Sequence, residues 1–261
     1  MRASSSLLAL AASSLRTRWE CGGATVRRGA AGMGLLSAAA PRDSGEGSSP
    51  TASGQLTLAG VADTLELGAQ LAGLARVGDV VLLHGDYGAG KTCLARGFIR
   101  RWYADPSELV TSPSYLIDNV YDDPDGYALL PHVTVHHMDL WRLPEGKISQ
   151  LVDLPSVFAE CVSLIEWPQR LGDLAPQSYL DVRIAIVPTA ASAASDDRPL
   201  DERAGADDDV DSGDDDEQPR LVTLTAKGER WVERLPAIVA LFADEVEEED
   251  VSADDDESIV H

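Results

Sequence analysis

The sequence contains little cysteine, little lysine and no long apolar run. Its three cysteines, Cys21, Cys93 and Cys161, are too few and too widely spaced for a disulfide framework or a cysteine-based metal site. No apolar stretch reaches the roughly 20 residues of a membrane-spanning helix. Only three of the 261 residues are lysines. Because nucleic-acid binding depends on clustered Lys and Arg side chains, the chain is not expected to bind nucleic acid by itself.

Basic residues are outnumbered overall, and most of the acidic excess lies in two segments. The chain has 44 acidic and 21 basic residues, and 22 of the acids lie in residues 196–217 and 244–257. Runs of like charge repel each other and offer little apolar surface to bury. We therefore expect a disordered acidic insert at 189–218 and a disordered acidic tail at 244–261. Mimicry of nucleic acid, or a docking role, is the alternative for these segments.

Residues 1–42 have the opposite charge balance. They contain six Arg against one acid, Glu20, and are rich in Ser and Ala, a composition typical of organellar transit peptides. A secretory signal is the alternative, but the apolar run Leu7–Ala12 is short for one. We expect import into an organellar matrix, either the chloroplast stroma or the mitochondrion. Residues 43–54 are predicted to be a Gly/Ser/Pro linker.

Strand-like and helix-like patterns alternate through residues 55–243, apart from the acidic insert. Strands are predicted at 55–60, 78–85, 115–121, 133–140, 163–167, 180–187 and 221–226, and helices at 62–75, 92–103, 148–159 and 229–242. The run at 78–85 is continuously apolar between glycines, as in a parallel strand buried on both faces. Several connections are too short for crossover helices. The pattern predicts a single α/β domain with a mixed, largely parallel central sheet flanked by helices.

The stretch LLHGDYGAGKTCLARGF, residues 82–98, joins a predicted buried strand to a predicted helix through a glycine-rich turn. Its spacing matches the phosphate loop of P-loop NTPases. Backbone N–H groups and the helix N-terminus would bind phosphate, Lys91 would reach the β- and γ-phosphates, and Thr92 would ligate Mg²⁺. The predicted nucleotide-binding residues are Gly85, Asp86, Tyr87, Gly88, Ala89, Gly90, Lys91, Thr92 and Cys93.

Two acidic residues lie at the ends of predicted strands. Glu166 ends the run VSLIE, and Asp139 lies near the end of VTVHHMDL. Since Mg²⁺ in P-loop proteins takes oxygen ligands, often from a carboxylate at the end of a neighbouring strand, both residues are candidates. The alternative for both Glu166 and Asp139 is an ordinary surface acid at the end of a strand. In the same segment, His137 fits a structural histidine and Arg142 a surface cation.

Five motifs occur in a characteristic order: GDYGAGKTCLARGF, VTSPSYLIDNVY, HHMDLWRL, LIEWPQRLGDLAP and RLVTLTAKGERW. This order resembles the TsaE (YjeE) family over residues 60–187 and 219–242. The resemblance implies a P-loop ATPase that hydrolyses ATP slowly with Mg²⁺ and is stimulated by TsaD-like and TsaB-like partners. Those partners transfer a threonylcarbamoyl group to adenosine 37 of tRNAs reading ANN codons. The chain itself would not be the transferase and would contact tRNA only through the complex.

Individual roles also follow from this resemblance. Asp139 matches the family's essential aspartate and Glu166 its metal-associated glutamate. The implied catalytic residues are therefore Lys91, Asp139 and Glu166, and the implied Mg²⁺ ligands are Thr92 and Glu166. The family's switch region falls at Ser112, Ser114 and Trp167.

The sequence departs from the family pattern at three of these motif positions. Ser114 stands where the family usually has Thr, which keeps the hydroxyl and loses a methyl group. Met138 and Trp141 stand where Phe and Tyr are commoner. The aromatic packing around HHMDLWRL is therefore expected to differ from that of other members.

Two other P-loop functions are alternatives to this one. A small-molecule kinase usually has an arginine-rich lid, but Arg142 and Arg170 are the only arginines between Trp102 and Asp181. A GTPase usually recognises guanine through an Asn-Lys-x-Asp run, which the sequence lacks. The kinase is the main alternative to the TsaE-like function.

Overall fold

The computed structural model describes residues 35–37, 49–188 and 218–242. The predicted acidic tail lies outside these residues, as do residues 189–217 of the predicted acidic insert and the predicted transit peptide apart from 35–37.

The described residues form one sheet with helices on its faces. The strands are β1 (Leu35–Ser37), β2 (Thr51–Leu58), β3 (Val80–His84), β4 (Asp118–Tyr121), β5 (Val135–Asp139), β6 (Val162–Glu166), β7 (Tyr179–Ile186) and β8 (Arg220–Lys227). The α-helices are α1 (Val61–Leu74), α2 (Lys91–Trp102), α3 (Leu154–Glu160), α4 (Glu229–Val232) and α5 (Leu235–Ala240), and 3-10 helices span Lys147–Gln150 and Pro168–Leu174.

The strand order is β1-β2-β8-β7-β3-β6-β5-β4. The central strands β7, β3, β6 and β5 run parallel, and the strands at both edges pair antiparallel. The predicted α/β fold with a mixed sheet and flanking helices is therefore confirmed. The apolar strand β3 lies inside the parallel section, as its unbroken apolar run predicted. The carboxyl ends of β3, β5 and β6 meet at one edge of the sheet, where ligands bind in open α/β folds.

Two predicted boundaries change. Strand β2 begins at Thr51, inside the predicted linker 43–54, because Ser and Gly backbones complete an unbroken ladder with β8. That linker therefore ends before residue 51. The predicted strand at 115–121 is limited to β4, since Ile117 adopts a φ of 72° in the preceding turn.

The predicted helices at 148–159 and 229–242 are each divided in two. Pro155 and Pro236 lie in the first turns of α3 and α5. Proline fits a first helical turn but cannot continue a preceding helix, because it lacks an N–H and its ring contacts the previous turn. Each proline therefore begins a new helix where the sequence pattern predicted one continuous helix.

Helices α1 and α2 pack with their backbones in close contact because glycines lie where they meet. A Cβ on Gly97 would lie 2.0 Å from the carbonyl oxygen of Leu65, and a Cβ on Gly68 would lie 2.1 Å from that of Leu94. No side chain fits at either position without separating the helices. This packing holds α2, the helix that follows the phosphate loop, in place.

Apolar side chains form two clusters, one on each face of the sheet. The larger cluster includes Phe98, Trp102 and Trp231 and packs α1, α2, α4 and α5 against the strands. The smaller cluster includes Met138 and Leu171 and lies beneath α3 and the 3-10 helices. Among the helices that the structure describes, none has the length and apolarity to cross a membrane.

Candidate functional site: a phosphate loop with two carboxylates

The loop between β3 and α2 has a backbone conformation suited to phosphate binding. Gly85, Gly88 and Gly90 have positive φ angles of 151°, 74° and 108°. A Cβ on Gly85 would also lie 2.6 Å from the carbonyl oxygen of Ile184. Helix α2 starts directly after the loop, at Lys91, and no side chain caps its first turn. The N–H groups of that turn therefore lie beside the loop, where they favour a bound anion.

Lys91 is buried inside the loop. Its Nζ donates hydrogen bonds to the carbonyl oxygens of Gly85, at 3.1 Å, and Asp86, at 2.7 Å. The same ammonium lies 4.2 Å from the centre of a Trp167 ring. Trp167 adopts a φ of 56° directly after β6 and packs against Trp141, with ring centroids 4.4 Å apart. The predicted switch residue Trp167 therefore lies directly against the lysine that is predicted to reach the phosphates.

Thr92 and Glu166 meet across the site. The Thr92 hydroxyl donates a 2.8 Å hydrogen bond to Glu166 Oε1. His137 Nε2 lies 2.9 Å from the same oxygen and is fully buried. Leu83, near the end of β3, is in register with Glu166. The register therefore places the carboxylate beside the strand that leads into the phosphate loop.

Asp139 is the neighbour of Glu166 on the next parallel strand, since the two residues are in register between β5 and β6. Its Oδ2 accepts a 2.8 Å hydrogen bond from the Ser112 hydroxyl, and its Oδ1 accepts the backbone N–H of Trp141 at 2.9 Å. Burial, and then the Glu166 carboxylate, raise the pKa of Asp139 above its ordinary value. Lys91 and the two hydrogen bonds act in the opposite direction. The site thus holds two carboxylates, a lysine and two hydroxyls.

The remaining predicted site residues differ in their positions and contacts. Asp86 offers Lys91 its backbone carbonyl, and Ala89 is buried in the loop. Tyr87 is about half exposed on the loop. The Cys93 thiol lies 3.7 Å from the carbonyl oxygen of Val61 and so faces α1. Ser114 lies in the turn after Ser112, which is the serine that contacts Asp139.

Sequence reasoning missed two residues of the site. His137 was interpreted as structural, although it lies two positions before Asp139 in a strand and therefore on the same face. That spacing was a usable signal. Arg220, at the start of β8, donates its Nε–H to the carbonyl oxygen of Ala89 at 3.3 Å. No local pattern marked Arg220, because 131 residues separate it from Ala89.

The residues present fit a Mg²⁺ ion bound together with a nucleotide. Within the described ranges, no group of three or more His, Cys, Asp and Glu side chains is arranged to hold a metal. A P-loop site does not require such a group, because its ion is held by one hydroxyl, phosphate oxygens, a carboxylate and water. Thr92 and Glu166 would supply the hydroxyl and the carboxylate from the protein.

Comparison with known proteins identifies the family. The protein-family model for the threonylcarbamoyl adenosine biosynthesis protein TsaE matches residues 58–192. The protein named tRNA threonylcarbamoyladenosine biosynthesis protein TsaE in Mycobacterium tuberculosis is 33% identical over 142 residues, covering 51% of this chain and 80% of that protein. The chain belongs to the TsaE family. Another protein of the same name, in Streptomyces coelicolor, is 32% identical over 169 residues, covering 64% of this chain and 92% of that protein.

A solved structure supports the fold of this TsaE-family chain. The crystal structure of YdiB from Bacillus subtilis matches with a TM-score of 0.51 and 22% identity, covering 73% of this chain and 97% of that one. This likeness supports the α/β fold of the chain. The family matches support the TsaE-like interpretation rather than the small-molecule kinase.

Proposed function

We propose that the chain binds ATP, hydrolyses it slowly with Mg²⁺, and serves as an accessory protein of the complex that makes N6-threonylcarbamoyladenosine at position 37 of tRNAs reading ANN codons. Membership of the TsaE family supports this function. The observation that carries it is the 2.8 Å contact between Thr92 and Glu166 beside the phosphate loop. That contact brings together the hydroxyl and the carboxylate that a nucleotide-bound Mg²⁺ requires.

Each charged residue has a distinct role in this proposal. Lys91 gives up its carbonyl partners in the loop for the β- and γ-phosphates of ATP. Bound Mg²⁺ would neutralise charge on the phosphate oxygens. Glu166 is oriented toward the ion by Thr92 and His137. Asp139 positions the attacking water, because its buried carboxylate lies beside Glu166 at the same edge of the sheet and can act as a general base.

The partners and the compartment are also part of the proposal. We infer that the chain acts with TsaD-like and TsaB-like proteins, that these proteins perform the transfer and stimulate hydrolysis, and that tRNA is contacted only through the complex. The composition of residues 1–42 supports an organellar matrix, chloroplast stroma or mitochondrion, as the site of action.

Affinity capture tests this function directly. The full tagged chain is incubated with an organelle extract, with and without ATP, and the captured proteins are identified by mass spectrometry. We expect a TsaD-like protein to be captured with the wild type in an ATP-dependent manner, and not with Lys91→Ala. Capture that never includes a TsaD-like protein, from an extract shown to contain one, would contradict the proposed function.

A further inference from the structure

Arg220 is a buried cation that contacts the phosphate loop although 131 residues separate it from Ala89 in the chain. It is the first residue of β8, and only 4% of its surface is exposed. Its Nη1 donates a 2.7 Å hydrogen bond to the carbonyl oxygen of Gln218, and its Nε donates to that of Ala89 at 3.3 Å. These two hydrogen bonds hold the planar guanidinium against the loop.

The contact with Ala89 fixes the orientation of the peptide group between Ala89 and Gly90. The peptide between Ala89 and Gly90 is trans, as are all peptides in the described residues. In a planar trans peptide the C=O and N–H bonds point in opposite directions. Because the Ala89 carbonyl points toward Arg220, the Gly90 N–H points away from Arg220.

Arg220 also packs directly against Gly90. A Cβ built on Gly90 would lie 3.5 Å from Arg220 Nε and 3.5 Å from Thr64 Cγ2. Thr64 is held in turn by its hydroxyl, which donates to the carbonyl oxygen of Gly60 at 3.0 Å. The outer side of the loop therefore rests on two buried side chains, which leaves the opposite side for an anion.

We propose that Arg220 is a positioning residue of the phosphate loop, which holds the Ala89 carbonyl outward and so aims the Gly90 N–H at the phosphates of a bound nucleotide. This inference rests on the nucleotide binding in the proposed function. Gly90 then accepts the first backbone bond of α2, from Leu94 N–H to the Gly90 carbonyl at 2.9 Å. Arg220 thus orients the peptide at which the loop becomes the helix.

Two variants of Arg220 and one control test the inference. Arg220→Met keeps a similar side-chain volume and removes every side-chain hydrogen-bond donor. Arg220→Lys keeps the positive charge but replaces the planar guanidinium, with its several N–H donors, by a single ammonium group. Arg234→Lys is the matched control. Arg234 is also buried and also binds a backbone carbonyl, that of Leu74, but it pairs with Asp79 away from the loop. Mg·ADP affinity is measured by calorimetry and unfolding by thermal melting.

We expect Arg220→Met to bind Mg·ADP about tenfold more weakly, the cost of one misaligned hydrogen bond to a charged group. Arg220→Lys should lie between Arg220→Met and the wild type, and Arg234→Lys should lower the melting temperature without changing the affinity. A folded Arg220→Met that binds within about twofold of the wild type overturns the inference. If Arg220→Met does not fold, an Arg220→Lys variant that binds Mg·ADP as tightly as the wild type also overturns the inference.

A spectroscopic measurement separates positioning from a merely structural role. In ¹⁵N-labelled protein saturated with Mg·ADP, the Gly90 amide of the wild type should show the downfield proton shift of a hydrogen bond to phosphate. The shift should be reduced in the Arg220 variants even at saturation and unchanged in Arg234→Lys. An unchanged Gly90 shift in both Arg220 variants overturns the inference and leaves the proposed function intact. A wild-type chain that binds no nucleotide overturns both.

Discussion

The Thr92 hydroxyl and the Glu166 carboxylate are joined by a 2.8 Å hydrogen bond although 74 residues separate them in the chain. The contact connects the first turn of α2 with the end of β6. It forms because β6 lies next to β3 in the sheet, so that the loop after β3 and the end of β6 meet. The oxygens expected to act on Mg²⁺ are therefore adjacent before a nucleotide binds.

Glu166→Gln should weaken Mg²⁺ binding while leaving the fold intact. The substitution keeps the shape of the side chain and removes the charge that attracts the ion. We expect the Mg²⁺ concentration for half-maximal ATPase activity to rise about tenfold, since one charge-assisted ligand is lost. Titration of activity against Mg²⁺ measures this shift. The control is Glu160→Gln, which changes an exposed acid at the end of α3. Equal half-saturating Mg²⁺ concentrations in the two variants would contradict the assignment of Glu166 to Mg²⁺ binding.

Asp139→Asn should lose turnover rather than affinity. The asparagine can still accept the Trp141 N–H, but it cannot act as a base toward water. We expect turnover to fall at least 100-fold, as for loss of a general base, while Mg·ADP affinity stays within about threefold of the wild type. Single-turnover hydrolysis and calorimetry measure the two quantities. If affinity falls as much as turnover, both acids are simply metal ligands.

Asp139 should also make the stability of the metal-free chain depend on pH. Burial, and then Glu166, raise its pKa from 3.8, so the folded chain holds the proton more tightly than the unfolded chain. This stabilisation is present below pH 3.8 and is lost as the pH rises through the higher folded value. Asp139→Asn should therefore melt on the order of 2 °C above the wild type at pH 7, with no difference near pH 3. Scanning calorimetry at both values checks this, and a less stable variant at pH 7 would refute it.

Gly97→Ala should destabilise the fold strongly. The added methyl group would lie 2.0 Å from the Leu65 carbonyl oxygen, so α1 and α2 would have to separate. We expect a loss of about 3 kcal/mol in the free energy of unfolding, measured in urea. Gly73→Ala in α1 is the control, because its Cβ would meet nothing within 4 Å. That variant should gain about 0.5 kcal/mol from better helix propensity, and equal losses in the two variants would contradict the close packing.

The sequence predicted the elements whose signals are local. The apolar run of β3, the glycine-rich loop and the start of α2 follow one another directly, so the order of strand, loop and helix was predicted from the sequence. Thr92 and Glu166 could be paired because the chemistry of nucleotide-bound Mg²⁺ requires a hydroxyl and a carboxylate. The beginning of β2 at Thr51 was missed, because its Ser and Gly residues are typical of linkers and only pairing with β8 makes them a strand.

Contacts that depend on strand register were beyond sequence reasoning. His137 reaches Glu166 because β5 and β6 are parallel neighbours in a particular register. Arg220 reaches Ala89 because β8 folds back beside β7, far along the chain from the loop. The contact between Ser112 and Asp139 likewise depends on how the segment after α2 passes the end of β5. Strand periodicity can place His137 on the same face as Asp139, but it does not say which residues of other segments lie opposite that face.

Calorimetric titration of the full chain with Mg·ATP in a non-hydrolysable form is the most direct test that this loop is the nucleotide site. We expect saturable one-to-one binding by the wild type and by Lys147→Ala, which changes an exposed lysine in a 3-10 helix. Lys91→Ala should show no measurable binding, because the loop loses the cation that reaches the phosphates. Affinity of Lys91→Ala within about threefold of the wild type would contradict the assignment of this loop as the site of ATP binding.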